Sequence, residues 1–177
     1  MKKIAIILFN LGGPDGPEAV QPFLFNLFSD KAIINVPQPI RWLIAKLISI
    51  RRAPIAKGIY AELGGGSPLL PNTKKQADAL RSMLEKRYVD DEFKCFISMR
   101  YWHPMANQVA SDVKVWGADE VVLLPLYPQF STTTSGSSIK DWKRASRKAG
   151  LDAATKGFCT LVTGLLAESD GSGRASM

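Results

Sequence analysis

The sequence predicts an α/β protein, a Rossmann-like parallel sheet flanked by helices. Three observations carry that reading. The opening run "KIAIILF" (3–9) is continuously apolar, as in a strand covered on both faces. Two further strand-length runs, "FKCFISM" (93–99) and "EVVLLPLY" (120–127), alternate with stretches of helical character, which implies parallel strands joined by helical crossovers. The segments that would follow the strand C-termini, 10–16, 100–104 and 127–138, are also the most unusual in composition, and open α/β sheets bind ligands there.

Taken in order, Pro17 and Glu18 open a helix running to about Phe28. Ile40, Leu43, Ile44, Leu47 and Ile48 recur at i, i+3, i+4, i+7 and i+8, one face of an amphipathic helix. Pro54 is expected to start a separate short helix that ends at Gly64. Thr73 is placed to cap a helix carrying Ala77, Leu80 and Leu84. Pro104 opens a helix ending near Gly117, and a Ser-rich loop leads into a basic helix over 138–148.

Composition narrows the function classes. A chain of 177 residues, 46% hydrophobic and 22% charged, supports one soluble domain with a real core. No apolar run approaches the roughly 20 residues that span a bilayer. The apolar start is too short for a signal peptide, and "NLGGP" follows where small cleavage-site residues belong, so the expected compartment is the cytosol. Two cysteines, Cys95 and Cys159, make no disulfide framework. One His and two distant Cys exclude a zinc-type set and any Ser-His-Asp or Cys-His triad. The net charge of +7 is uneven: residues 31 to 61 carry six Lys or Arg and no acid. This is either a solvated basic face or a surface for an anionic partner. Nucleic acid is disfavoured, because the cations alternate with large aliphatics.

The glycine loops admit several readings. "FNLGGPDGPE" (9–18) lacks the spacing of a dinucleotide fingerprint. A tight turn and a close backbone approach to a flat ligand both remain. "GGGSP" (64–68) lacks the Gly-Lys-Ser/Thr ending of a phosphate loop and follows a helix; Ser67 is left to bind an anion or cap a turn. In "MRYWHP" (99–104), Arg100 suits a carboxylate and Tyr101 an aromatic plane, while the single His103 before a proline fits a structural role better than a catalytic one. "LYPQFSTTTSGSS" (126–138) sets Tyr127 and Phe130 beside hydroxyls, of which Ser137 and Ser138 read as helix caps.

Together, "NLGGP", "RRAPIAKGIYAELGGGSP", "RYWHP" and "PLYPQFSTTTSGSS" resemble the ferrochelatases, enzymes (lyases) that insert ferrous iron into a porphyrin to make haem. The resemblance covers about residues 3 to 156, the first half of a family member. It implies the first lobe of a two-lobed fold, residues 1–156, with a hydrophobic lip over about 17–60. It places Leu11 by the porphyrin face, where Leu favours protoporphyrin over coproporphyrin. Leu24 and Leu27 match lip positions. Arg51 and Arg52 match positions that meet or neighbour the propionates. Tyr60, Ser67, Arg100, Tyr101 and Tyr127 match porphyrin-contacting positions. Thr132 falls where some relatives place an iron–sulfur cysteine, so no cluster is expected and no cofactor is held permanently. The implied substrates are iron(II) and protoporphyrin IX. The implied location is cytoplasmic, with the basic-aliphatic lip suited to peripheral contact with a membrane; no nucleic acid is implied, and no pattern specifies an oligomer. A porphyrin is an apolar disc with two carboxylates, and a charged hydrogen bond contributes about 1.5–3 kcal/mol, so one or two Arg–propionate pairs orient it.

The family's chemistry also uses a His in a second-lobe motif and a Glu beyond it, since pyrrole protons must leave as iron arrives. Neither motif occurs here, and His103 lies at the wrong place to substitute, so no catalytic residue and no metal ligand is assigned. After "AATKG" the sequence departs from the family pattern, and residues 157–177 read as an aberrant, disordered end left by a frameshift or early stop. A lobe exposed in this way is expected to aggregate. Three readings follow: a truncated, inactive ferrochelatase; a porphyrin-binding half-module without catalysis; or half of a split enzyme.

Overall fold

A computed structural model describes residues 1–128 and 131–157. Four parallel strands form one sheet: β1 (Lys3–Asn10), β2 (Glu92–Met99), β3 (Glu120–Pro125) and β4 (Ala154–Gly157), in the order β2-β1-β3-β4. The central strand is the one expected to be covered twice. Ala5, Ile7 and Phe9 of β1 join one core cluster, and Ile6 and Leu8 join another. Helices α4 (Ala106–Trp116) and α5 (Ser137–Ala149) cover the first face through Val109, Val113, Trp142 and Ala145. Helix α3 (Leu69–Arg87) covers the second through Ala77, Leu80 and Leu84. The chain is an α/β fold, as expected.

Several elements differ from the expectations. β4 was not anticipated; its four residues are all exposed and carry no apolar run to mark a strand. Residues 158–177, with Cys159, lie outside the described residues, as does Phe130. A short 3₁₀ turn (Pro17–Ala19) precedes α1 (Val20–Phe28). Pro54 does not start a helix but sits inside one continuous helix, α2 (Gln38–Glu62). A proline there removes one backbone bond, but α2 packs along α1 on both sides of it, with Ala53 buried just before Pro54 and Ala56 and Tyr60 in the same cluster after it. The aliphatic stripe of α2 is also not its packed face. Ile40, Leu43 and Leu47 are exposed and Ile44 and Ile48 half-buried, whereas Ala45, Ser49 and Ala53, four residues apart, are buried. Small side chains let two helices approach closely, and periodicity alone does not say which face meets a partner.

Three expected caps are not caps. Thr73 lies a full turn inside α3, buried, donating to the Leu69 carbonyl at 2.8 Å and accepting from Asn10 Nδ2 at 3.2 Å. Ser137 and Ser138 cap no backbone amide of α5; both are drawn into side-chain bonds instead. Ser131 does cap, accepting from the Thr133 amide ahead of a π-helical turn, Thr132–Gly136.

Candidate functional site

The parallel sheet brings the ends of β1, β2 and β3 to one edge, and backbone bonds continue the pairing into the loops. The amides of Arg100 and Tyr101 donate to the carbonyls of Asn10 and Leu11 at 2.9 and 3.0 Å, and Leu126 donates to Phe9. The two glycine loops meet beside this edge. The Ser67 amide donates to the Pro14 carbonyl at 2.7 Å, and a Cβ added at Gly13 would fall inside contact distance of the Ser67 hydroxyl. Gly64 and Gly65 hold φ of +92° and +93°, turning the chain out of α2, where any other residue would be strained. The glycines thus serve a helix exit and a backbone-to-backbone contact between loops.

Above that junction lies an apolar cluster. Val20, Phe23, Leu24, Ala53 and Tyr101 are buried in it, and Leu11, Leu27, Tyr60 and Trp102 pack against it with partial exposure. Most of the aliphatic and aromatic positions singled out in the sequence therefore converge, although they come from four segments of the chain. Trp102 also donates from Nε1 to Asp15 at 3.0 Å. Tyr127 sits apart, in the core under α5, and its hydroxyl shares a 3.0 Å hydrogen bond with Ser138. Arg51 and Arg52 are exposed on α2 beside Ala53, and neither forms an ion pair among the described residues. His103 is exposed at the tip of its loop, against Trp102. Ser67 Oγ accepts from the Leu69 amide at 3.3 Å, a local turn bond two residues ahead of α3.

Arg100 and Tyr101 meet a partner that sequence reasoning missed. Asp30, just after α1, has a side chain only 8% exposed. Its Oδ2 accepts from Ser137 Oγ at 2.6 Å, Arg100 Nη2 at 2.7 Å and the Tyr101 hydroxyl at 2.9 Å, and its Oδ1 accepts from the Ala32 amide at 2.9 Å. Arg100 Nε donates to Ser137 at 2.8 Å, and Nη1 lies 3.6 Å from Asp141. The carboxylate that suits Arg100 is thus an internal one. Burial alone would raise the Asp30 carboxyl; the bonds from Ser137 and Ala32, the Arg100 charge and the Tyr101 bond outweigh it and hold the group below the usual range. Burial, then the bond to Asp30 and its charge, push the Tyr101 phenol well up. Burial also raises Tyr60 and Tyr127. These three phenols stay protonated at neutral pH and serve as donors or apolar surface, not as bases.

Among the described residues no three His, Cys, Asp or Glu side chains gather as a metal-binding group, and no helix is long and apolar enough to cross a membrane. Thr132 is exposed at the start of the π-helical turn.

The profile of the family described as ferrochelatase matches residues 3–160. The chain is 62% identical over 146 residues to the ferrochelatase of Hyphomonas neptunium, an alignment covering 81% of this chain and 41% of that protein. It is 58% identical over 150 residues to the ferrochelatase of Caulobacter vibrioides, covering 85% and 43%. It is 54% identical over 163 residues to that of Pelagibacter ubique, covering 92% and 47%. The chain spans about half the length of the curated relatives it matches.

Proposed function

The chain belongs to the ferrochelatase family, and on that premise we propose that it forms one wall of a porphyrin site serving insertion of iron(II) into protoporphyrin IX in haem biosynthesis. One observation supports this most: Leu11, Leu24, Leu27, Tyr60 and Tyr101, scattered over 90 residues of sequence, share a single apolar cluster at the ligand-binding edge of the sheet. Leu11, Leu27, Tyr60 and Trp102 keep exposed surface there for the face of an apolar disc. Arg51 and Arg52, with no internal partner among the described residues, supply cations for the propionates. Ser67 and Arg100 complete the assigned contacts, with Arg100 acting through a guanidinium already oriented by Asp30, while Tyr127 belongs to the core cluster that backs Leu11 rather than meeting the disc. Iron(II) is a substrate in this reading, and no resident cofactor is assigned. Because the phenols of this wall are held protonated, the acceptor for the pyrrole protons comes from outside it. The location is cytoplasmic, with α2 resting on a membrane surface through its exposed aliphatics and cations.

The test is a titration of protoporphyrin IX with the full chain, followed by the shift of the Soret band. Saturable binding is expected. Replacing both arginines, R51Q/R52Q, should weaken it by about tenfold or more, since each charged hydrogen bond contributes about 1.5–3 kcal/mol. The dimethyl ester of the porphyrin, lacking both carboxylates, should be insensitive to that change. A folded chain that shows no Soret shift would overturn the reading.

A further inference from the structure

Next to Asp30, on the side of α5, lies a cavity of about 640 Å³ whose lining is strongly cationic. Five of its side chains are Lys31, Arg100, Lys140, Arg144 and Arg147, against only two acids, Asp30 and Asp141. Those two acids are already committed. Asp30 holds Arg100, and Asp141 lies 2.6 Å from Arg144 and 3.6 Å from Arg100. Lys31, Lys140 and Arg147 form no ion pair among the described residues, although they face one space from two distant segments. Lys140, Arg144 and Arg147 recur at i, i+4 and i+7, which puts them on one side of α5. Arg147 uses its Nε on the Lys143 carbonyl at 3.0 Å. Hydroxyls of Thr132 and Ser137 edge the same space.

The lining also limits what fits. Among the described residues that line it, Ala32 is the only apolar side chain and none is aromatic. These described side chains offer no face for a porphyrin disc and no platform for a nucleobase, in contrast to the apolar cluster around Leu11. We propose that this cavity binds a compact, multivalent oxyanion such as a diphosphate or a small polycarboxylate, through Lys31, Lys140 and Arg147. The site goes beyond the porphyrin-binding reading and touches it only through Arg100, which both share. Like-charged side chains facing one cavity repel each other, and a multivalent anion removes that repulsion, so the cavity favours two or more charges over one.

The test is calorimetric titration of the full chain with inorganic diphosphate, and separately with citrate, in about 0.15 M sodium chloride, where surface charges more than about 8 Å apart are screened. Saturable binding of one anion per chain is expected, and the tighter of the two anions distinguishes a phosphate source from a carboxylate one. K140Q/R147Q should weaken it at least tenfold. K143Q/K148Q, which removes two cations of the same helix that do not line the cavity, should change it less than threefold. No saturable binding of either anion, or equal loss in both double variants, would overturn the proposal and leave an ordinary solvated basic helix. Protoporphyrin titration of the same preparation separates the failures. Porphyrin bound without either anion removes this inference alone, and an anion bound without porphyrin removes only the reading above.

Discussion

Asp30 gathers four hydrogen bonds from four sites along the chain, and its nearest side-chain partner beyond α1 is 70 residues away. Removing its charge strands the Arg100 guanidinium among half-buried neighbours. D30N is therefore expected to cost about 2–3 kcal/mol in urea unfolding at neutral pH. Because the folded-state carboxyl titrates below its ordinary value, its contribution is fully present above about pH 4 and is lost as pH falls through the folded value. The gap between wild type and D30N should hold constant from neutral pH down to about pH 4 and shrink below it. A gap independent of pH would rule out the charge as its source. Gly13 and Ser67 make a second pairwise case. G13A should destabilise by about 1–3 kcal/mol through overpacking against Ser67. The double variant G13A/S67G should recover most of that loss, and simple additivity of the two changes would refute the contact.

At the scale of elements, α1 and α2 form a helical hairpin in which α2 turns small side chains to the seam and carries large ones on its outer side. A53L drives three further heavy atoms into the seam with Val20, Phe23 and Leu24. It should cost about 1–3 kcal/mol. L47S, on the exposed side, should stay within about 0.5 kcal/mol. Denaturation midpoints of the two variants decide which face of α2 is packed, and the reverse order would mean that the aliphatic stripe is covered.

At the scale of the whole molecule, exposed aliphatics and cations share one long helix, while the loops after the strand C-termini share one sheet edge. If α2 meets a membrane surface as proposed, the chain should co-sediment with anionic vesicles. Raising salt from about 0.01 M to about 1 M shortens the screening length from about 30 Å to about 3 Å and should release the charge-held part. L43S/L47S should release the apolar part at low salt. Co-sedimentation equal with neutral vesicles would exclude a role for the basic residues.

The sequence by itself determined the α/β class, the doubly covered first strand, the order of strands and helices, and the edge of the sheet where the unusual loops meet. Those follow from local periodicity and from the rule that parallel strands put their C-termini together. It also marked Leu11, Leu24, Leu27, Tyr60 and Tyr101, through resemblance to a family and not through periodicity, and these share one cluster. It missed β4, whose pairing with β3 comes from backbone bonds that no side-chain pattern announces. It mistook Thr73, Ser137 and Ser138 for caps, because a hydroxyl near a helix start looks the same whether its partner is an adjacent amide or a side chain far along the chain. It gave α2 its aliphatic stripe but not its packed seam of Ala45, Ser49 and Ala53, since an amphipathic pattern shows which residues are apolar but not which face a neighbouring helix can approach. Asp30 had no local sign at all. Its role exists only because the tertiary structure carries Arg100, Tyr101 and Ser137 to one buried carboxylate, and the energy of such a site depends on distance in space, which the order of residues does not record.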